Sequence, residues 1–204
     1  MKRDILFLCQ FFYPEYVSSA TLPFDTALAL ARAGYTVDAL CGYPREYAGG
    51  QTPPRRETHE GIRIRRLPYL QLRRTSTIGR IVNYLSFTAS VLLHTGSLRQ
   101  YRAVVVYSNP PLLPWAAALA KRLFGCKLVF VAYDLYPEIA LRTGAAREGG
   151  LMARVMEQIN RRVYPCADRV VALSAEMRAF ITANRPIPPE RVRVIPNWYQ
   201  DEGP

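Results

Sequence analysis

Short runs that are apolar, or that alternate apolar and polar positions, are separated by longer stretches with helical periodicity. The runs cover residues 5–9, 35–40, 61–67, 103–107, 127–132, 168–173 and 191–195. The helical stretches cover residues 21–33, 78–98, 112–124, 151–164 and 175–184. Strands and helices that alternate at this spacing predict a parallel sheet with right-handed crossovers. We therefore expect one α/β domain, a Rossmann-like doubly wound fold with a mostly parallel sheet of about seven strands.

Two segments depart from this simple pattern. Residues 61–67 alternate apolar and basic side chains, which is typical of a strand at a sheet edge. Residues 81–98 contain no Asp, Glu, Lys or Arg and approach the length that spans a bilayer. Because Asn83, Thr88 and His94 interrupt the apolar character, we expect a buried or membrane-surface helix there instead of a spanning one.

Two long loops follow the first two strands. Residues 10–23 carry aromatic and hydroxyl side chains ahead of a helix that we expect to begin at Thr21, and residues 41–60 are expected to form a mobile loop. The first loop lacks G-x-G-x-x-G and is too long for a tight pyrophosphate turn, which disfavours a dinucleotide oxidoreductase. The sequence also lacks the G-x-x-x-x-G-K-[ST], H-E-x-x-H and G-x-S-x-G motifs. No metal site and no cofactor are therefore predicted.

Charge and cysteine content add two expectations. The formal net charge of +11 comes mostly from arginine and suggests an anionic partner, although a solvated basic surface would give the same number. The four cysteines, Cys9, Cys41, Cys126 and Cys166, form no CxxC and no metal-ligand spacing. We interpret them as reduced core thiols of a cytoplasmic protein, since the first apolar run is also too short for a secretory signal.

Polar side chains collect in the loops after the strands, at the sheet edge where ligands of such folds bind. Together they suit a polyhydroxylated or phosphorylated ligand. The expected ligand-binding residues are Tyr13, Glu15, Ser18, Ser19, Ser108, Asn109 and Ser174. Ser174 is also placed to cap the helix that follows it. The carboxylates Asp134 and Glu138 are each as compatible with a loop brace as with a catalytic group, and both histidines are expected to be structural.

Several motifs occur in a fixed order along the whole chain. They are Phe12-Tyr13-Pro14-Glu15, Ala31-Arg32-Ala33-Gly34-Tyr35-Thr36-Val37, Glu60-Gly61-Ile62-Arg63-Ile64-Arg65-Arg66, Ser108-Asn109-Pro110-Pro111-Leu112, Asp134-Leu135-Tyr136-Pro137-Glu138, residues 168–174 and residues 192–198. As a series they resemble the amino-terminal domain of family-4 retaining glycosyltransferases of the GT-B fold. The branch they resemble is the bacterial one that builds exopolysaccharide and O-antigen, similar to colanic-acid and aminosugar transferases.

The resemblance implies one half of a GT-B fold. Residues 1–195 would form the acceptor-binding domain, residues 196–204 would begin the hinge, and a carboxy-terminal domain would hold most of the nucleotide-sugar. The implied reaction moves a sugar from that donor onto an acceptor saccharide linked to polyprenyl diphosphate, with retention of configuration and without metal. Asp134 would orient or deprotonate the acceptor hydroxyl, with Glu138 as second choice. The paired glutamates of the family's second domain have no counterpart here, so this chain alone is expected to be inactive.

Two positions depart from the family pattern. Val17-Ser18-Ser19 stands where a glycine turn usually brings backbone amides to the donor phosphates, so the freedom of glycine at positive φ is lost. Val131 stands where a histidine is common, three residues before Asp134. A role that depends on a histidine at position 131 is therefore excluded.

The arginines suggest where the protein works. The family resemblance places a lipid-linked acceptor at the inner leaflet, so we expect peripheral binding to the anionic inner face of the cytoplasmic membrane. The side chains expected to face it are Arg65, Arg66, Arg73, Arg74 and Arg80. No nucleic acid is expected, because the arginines follow no nucleic-acid-binding motif. Two alternatives stay open: a nucleotide-binding Rossmann enzyme such as an epimerase or oxidoreductase, and a non-catalytic membrane-recruiting subunit of a split glycosyltransferase.

Overall fold

The computed structural model describes residues 2–45, 52–73 and 75–197, which form an eight-stranded sheet flanked by helices. The strands are β1 (Arg3–Leu8), β2 (Val37–Gly42), β3 (Arg56–His59), β4 (Ile62–Leu67), β5 (Tyr101–Tyr107), β6 (Lys127–Ala132), β7 (Arg169–Ala172) and β8 (Val192–Val194). The helices are α1 (Ser18–Arg32), α2 (Thr77–Leu93), α3 (Leu113–Phe124), α4 (Glu138–Arg142), α5 (Leu151–Cys166) and α6 (Ala175–Asn184), with 3₁₀ helices at Thr95–Gln100 and Pro189–Arg191.

The strands lie in the order β3-β4-β2-β1-β5-β6-β7-β8, and each neighbouring pair is parallel except β3 with β4. On one side of β1 the chain adds β2, β4 and β3. It then crosses through α2 to β5, which lies on the other side of β1, and adds β6, β7 and β8 beyond it. The Rossmann-like doubly wound prediction is confirmed. Because the connections diverge between β1 and β5, the carboxyl ends of these two strands border the crevice where doubly wound sheets bind ligands.

The sequence pattern misses the short helix α4 and also the strand β3. The pattern assigns residues 41–60 to a loop, yet Arg56–His59 pairs antiparallel with β4. This strand contains no apolar residue, and a tight turn through Glu60 and Gly61, with φ values of 48° and 78°, brings it back onto β4. The turn at these two residues forms the hairpin, and no hydrophobic pattern in the sequence indicates it. The prediction that β4 lies at the sheet edge is therefore wrong, because β3 covers it.

Helix α1 begins at Ser18, ahead of the predicted start at Thr21. In the structure Pro23 lies inside the helix, where its missing N–H leaves the Ser19 carbonyl without its helical partner. Ser18 and Ser19 consequently belong to the first turn of α1 and not to the preceding loop.

Apolar side chains bury both faces of the sheet, which explains the continuous apolar strands. Phe7 and Ile64 pack toward α1 on one face. Leu8 and Val106 pack on the opposite face, in one cluster with residues of α2, α3 and α5. All four cysteines are free and three are buried, as expected of core thiols. Burial raises the pKa of the Cys41 thiol to about 12, so this thiol is protonated at neutral pH.

Helix α2 is amphipathic and packs along the sheet. Its core side buries Phe87 and Val91, whereas Leu85 and Leu93 on the outer side are half or more exposed. The loop before it packs so closely that a Cβ at Gly79 would lie 2.3 Å from the Arg73 carbonyl oxygen, so glycine is required there. Across the described ranges, no helix combines the length and the apolar character needed to cross a bilayer.

Asp38 is a buried carboxylate that joins four strands near their amino ends. It accepts hydrogen bonds from Arg3 (2.5 Å), from Arg63 (3.0 and 2.7 Å) and from the Tyr101 hydroxyl (2.7 Å). Burial alone would raise the pKa of Asp38, but the hydrogen bonds from Arg63, Tyr101 and Arg3 outweigh it and hold this pKa below its ordinary value. The ionised carboxylate therefore stabilises the register of β1, β2, β4 and β5.

Asp38→Asn should lower the free energy of unfolding by about 2 kcal/mol at pH 7, because it removes the charge from these hydrogen bonds. Since the folded pKa is depressed, the contribution of Asp38 is present above its unfolded pKa of about 4 and is lost as the pH falls through the folded value. Urea unfolding of both proteins at pH 7 and at decreasing pH measures this difference. Glu190→Gln, at an exposed position, is the control. A difference that stays constant down to about pH 2 would contradict the assignment.

Candidate functional site

The crevice between the carboxyl ends of β1 and β5 contains a cavity of about 180 Å³, which we call the polar cavity. Its lining residues are Gln10, Phe11, Val17, Ser19, Arg80, Asn83, Tyr84 and Asn109. They come from the loop after β1, the start of α1, helix α2 and the loop after β5. The polar cavity thus lies at the point where the topology of a doubly wound sheet places a ligand.

Two side-chain oxygens in the polar cavity are shielded from solvent. Gln10 Oε1 and Asn109 Oδ1 have no hydrogen-bond partner within the described part of the chain. A buried acceptor without a donor costs about 1–3 kcal/mol, so a donor from a ligand or from water would stabilise this pair. Helix α1 begins beside them with no side-chain cap and no acidic residue in its first turn. Its amide N–H groups and positive dipole end therefore add a site for a negatively charged group.

An apolar groove of about 510 Å³ adjoins the polar cavity, and Arg80 and Tyr84 line both. The other residues of the apolar groove are Thr77, Ile81, Leu85, Pro111, Leu112, Tyr136, Ile139, Ala140, Thr143, Ala145, Leu151, Met152, Val155 and Met156. Its walls are therefore α2, α4 and α5. Leu151 is 81% exposed and Leu85 is 50% exposed. Large apolar side chains grouped at the surface in this way mark a binding surface.

Three of the predicted ligand-binding residues and one of the predicted membrane-facing arginines lie at this site. Ser19 and Asn109 line the polar cavity, and Ser18 is exposed beside it on the first turn of α1. Arg80, predicted to face a membrane, lies where the polar cavity meets the apolar groove. No acidic side chain of the described residues pairs with Arg80. Its positive charge is therefore available to a ligand at this junction.

Arg66 has a different role from the one predicted. Its side chain is fully buried, donates to the carbonyls of Tyr13 (2.8 Å) and Pro54 (2.9 Å), and pairs with Glu57. The period of two along β4 places Arg66 on the same face as Ile62 and Ile64, which explains its burial. The prediction that Arg66 faces a membrane is therefore wrong. This guanidinium anchors the loop after β1 to the β3–β4 hairpin.

The other arginines predicted to face a membrane lie in different settings. Arg73 is exposed just before α2, Arg65 is half-buried on β4, and Arg74 lies outside the described residues. Arg65 and Arg66 are neighbours in sequence, but they point to opposite faces of β4 because strand side chains alternate. Position along the strand, and not charge alone, decides which of them a ligand can reach.

Tyr13 and Glu15 help to hold the loop after β1. The Tyr13 ring stacks on His59, with ring centroids 3.8 Å apart, and Glu15 is buried and accepts the Arg45 N–H (3.1 Å). Both histidines are held by local contacts, since His94 Nδ1 lies 2.7 Å from the Ser90 carbonyl oxygen. These contacts agree with a structural role for the histidines. The part of Tyr13 and Glu15 in ligand binding stays a prediction.

Asp134 follows β6 and does not line the polar cavity. Its main-chain N–H donates to the buried Ser108 hydroxyl (2.9 Å), which makes Ser108 a brace for this loop. The Asp134 side chain lines a small cleft with Pro111 and Tyr136, two residues that also border the apolar groove. Burial raises the pKa of the Asp134 carboxyl, as is common for groups that exchange protons at a site.

Glu138 and Ser174 are engaged in local structure. Both carboxylate oxygens of Glu138 accept hydrogen bonds from Arg185 at 2.6 Å, and Arg185 also donates to the Tyr136 carbonyl (3.2 Å). Ser174 caps α6 by accepting the Met177 N–H (3.1 Å), as its position in the sequence predicts. The contacts of Glu138 favour the loop-brace interpretation that the sequence left open.

The site residues expected from the sequence do not include Gln10, Tyr84 or Tyr136. Gln10 is the first polar residue after a buried strand, directly at the crevice, so its position was a usable signal. Tyr84 and Tyr136 come from α2 and from the loop after β6, and they meet at the apolar groove only in the fold. No local sequence motif indicates that these two tyrosines lie close together.

These features define a Rossmann-like domain with a ligand site at the carboxyl edge of its sheet. Residues 24–198 match the family model described as "Glycosyl transferase 4-like domain", and the chain belongs to this family. The resemblance inferred from the order of the motifs is thereby confirmed at the level of the family.

Individual relatives agree with this membership. The chain is 25% identical over 175 residues to the probable glycosyltransferase WbjE of Pseudomonas aeruginosa, covering 81% of this chain and 43% of that protein. Anabaena Alr3699/HepE in complex with UDP and glucose has a TM-score of 0.54 at 18% identity, covering 97% of this chain and 45% of that one. The catalytic domain of starch synthase IV from Arabidopsis thaliana bound to ADP and acarbose has a TM-score of 0.54 at 10% identity, covering 99% and 53%.

These coverages show that the chain spans less than half the length of the curated relative. The likeness to the two solved structures concerns the fold, and it matches the expected GT-B class. The domain described here therefore corresponds to part of a larger architecture in each of these relatives.

If Glu138 is a brace, Glu138→Gln and Arg185→Met should each lower the free energy of unfolding by about 1–2 kcal/mol, because each leaves a partly buried partner unpaired. The double variant should lose little more than either single variant, since both remove the same interaction. Urea unfolding of the three proteins measures this coupling, with Glu157→Gln on the exposed side of α5 as control. Strictly additive losses would show that Glu138 and Arg185 act separately.

Proposed function

We propose that this chain is the acceptor-binding domain of a glycosyltransferase that moves a sugar from a nucleotide-sugar onto a saccharide linked to polyprenyl diphosphate. The observation that carries the proposal is the junction of the polar cavity with the apolar groove at Arg80. Such an arrangement fits an acceptor with a sugar head and a lipid tail. Saccharide hydroxyls would meet Gln10 and Asn109, and the diphosphate would meet the Arg80 guanidinium.

The nucleotide-sugar is proposed to be held mainly by a second domain outside these 204 residues. Residues 1–195 would then form the acceptor half and residues 196–204 would lead into the hinge. Membership of the glycosyl transferase 4-like family supports this division, as does the likeness to a protein solved with UDP and glucose. The first turn of α1, beside Ser19, would offer amide dipoles to the departing nucleoside diphosphate.

The proposed transfer retains the anomeric configuration and uses neither a metal nor a cofactor. It passes through an oxocarbenium-like state, so the acceptor hydroxyl must be oriented and must lose its proton as the new bond forms. Asp134 is the proposed group for this step, because its carboxyl is half-buried, has a raised pKa and borders the cleft beside Tyr136. Glu138 is the second candidate for orienting or deprotonating the acceptor hydroxyl, since its carboxylate is already bound to Arg185.

Asp134→Asn in the complete enzyme should lower turnover by about 100-fold or more, the size expected when a general base is lost. Folding should survive, because no hydrogen bond or ion pair of the described residues engages the Asp134 carboxylate; its N–H bond to Ser108 is retained. Turnover and thermal unfolding measured side by side test both statements. Asp25→Asn, a half-buried carboxylate of α1, is the control. Turnover of Asp134→Asn close to that of the wild type would refute the assignment.

The apolar groove also supports the proposal that the domain works at a membrane surface. Leu85 and Leu151 are exposed on its rim, and Arg73 and Arg80 lie at the same end of α2. Exposed apolar groups beside basic ones favour peripheral binding to an anionic lipid surface. We propose the inner face of the cytoplasmic membrane, where lipid-linked saccharides for cell-surface polysaccharide are extended.

Arg80→Gln and Leu85→Glu should raise KM by about tenfold for a polyprenyl-diphosphate acceptor, because each weakens a contact to the lipid-phosphate part. Neither should change KM for a short water-soluble saccharide acceptor that lacks this part. Steady-state kinetics of the complete enzyme with both acceptors separates the two effects. Leu123→Glu, an exposed position on α3 away from the apolar groove, is the control. Equal effects on both acceptors would argue against a lipid site in the apolar groove.

A further inference from the structure

A second cavity, of about 460 Å³, lies on the sheet face opposite α1. We call it the basic groove and define it by Arg56, Thr58, Arg63, Arg65, Ser97 and Gln100. It lies between the β2–β4–β3 edge of the sheet and the 3₁₀ helix Thr95–Gln100. Asp38 and Tyr101 at the amino ends of their strands border the basic groove, whereas the polar cavity lies beyond the carboxyl ends. The two sites are therefore separate.

Strand register brings the positive charges of the basic groove together. Arg56 lies directly opposite Arg65 in the antiparallel β3–β4 pair, and Thr58 lies opposite Arg63. Side chains opposite each other in such a pair point to the same face of the sheet. Like charges in that position repel each other and destabilise the pair. A negative group bound between Arg56 and Arg65 would therefore stabilise this arrangement.

The nearby carboxylates do not supply that negative group. Asp38 already accepts four hydrogen bonds, from Arg3, Arg63 and Tyr101, which fills the capacity of its two oxygens. Glu57 pairs with the buried Arg66. Among the described residues, neither Arg56 nor Arg65 forms an ion pair with an acidic side chain. The basic groove thus holds two guanidinium groups whose charge is not compensated there.

The setting of Arg65 distinguishes it from an ordinary surface arginine. The side chain is half-buried on β4, and its Nε is shielded from solvent without a hydrogen-bond partner within the described ranges. Burial lowers the pKa of the Arg65 guanidinium, and the neighbouring charges of Arg56 and Arg55 lower it further. An unsatisfied buried donor is costly, and an anion bound by the planar guanidinium would satisfy it.

We propose that the basic groove is a phosphate-binding site in which Arg56 and Arg65 hold the phosphate oxygens, with Gln100 as a further polar contact. Arginine binds phosphate through two parallel N–H groups, which gives a stronger and more directional contact than a single charge. The volume of the basic groove leaves room for a group larger than a phosphate ion. Both an anionic lipid headgroup and a soluble phosphate ester carry this chemistry.

Calorimetric titration of the chain with inorganic pyrophosphate tests the site in solution, and co-sedimentation with vesicles of phosphatidylglycerol or of phosphatidylcholine alone tests it on lipid. Arg65→Gln and Arg56→Gln should each weaken binding by about tenfold or more, the loss of one charge-assisted contact. Arg161→Gln, an exposed arginine of α5, removes the same charge outside the basic groove and should bind as the wild type does. Thermal unfolding of both groove variants should be unchanged or higher, because they relieve a repulsion.

If the groove variants lose binding only to phosphatidylglycerol vesicles, the ligand is a lipid headgroup. If they lose binding to pyrophosphate, the ligand is a soluble phosphate ester. Binding of both probes that is equal in the wild type and in both groove variants overturns the proposal. An equal loss in Arg161→Gln also overturns it, since net charge would then explain the result. Arg80 is proposed to bind diphosphate and lipid phosphate as well, so Arg80→Gln and the double variant Arg65→Gln/Arg80→Gln are titrated beside the single variants. A loss of binding in Arg80→Gln that adds to the loss in Arg65→Gln assigns each loss to its own site, so failure of the proposed acceptor site and failure of this site are distinguishable.

Discussion

The strands of this sheet are parallel and covered on both faces, and this constraint decides where polar chemistry can occur. A buried strand has no solvated face, so charged and hydrogen-bonding side chains must lie at strand ends or where covering helices are absent. Within the described residues, three such places matter most for the fold and for binding. They are the Asp38 cluster at the amino ends, the polar cavity at the carboxyl ends, and the basic groove beside β3 and β4.

The buried Arg66 and the partly buried Arg185 hold the loops near the crevice, and they do so through main-chain oxygens as well as carboxylates. Arg66 binds the Tyr13 carbonyl, and Arg185 binds the Tyr136 carbonyl together with Glu138. A guanidinium carries five N–H donors in a fixed plane, so one side chain can join several separate segments. The loops after β1 and β6 are thereby attached to neighbouring elements, as a preorganised binding site requires.

The arginines that give the net charge of +11 include two groups with different physical meaning. Arg3, Arg63, Arg66 and Arg185 pair with carboxylates and stabilise the fold. Arg80 at the apolar groove, and Arg56 and Arg65 in the basic groove, have no such partner within the described residues and lie beside cavities. Composition alone suggests an anionic partner, but only this division shows which side chains are free to bind it.

The sequence by itself determined the fold class and most of the elements, because apolar periodicity reports burial directly. It missed β3, whose residues are polar and whose pairing depends on the turn at Glu60 and Gly61. For the site, the sequence located the loops but not the roles of their side chains. Glu138 binds Arg185, 47 positions along the chain, and Ser108 accepts the Asp134 N–H from 26 positions away. Arg80 meets the polar cavity only because α2 crosses the sheet beside the loop after β1. Local patterns report burial and turns, whereas a binding site is made of contacts between distant segments, and only the tertiary structure decides those.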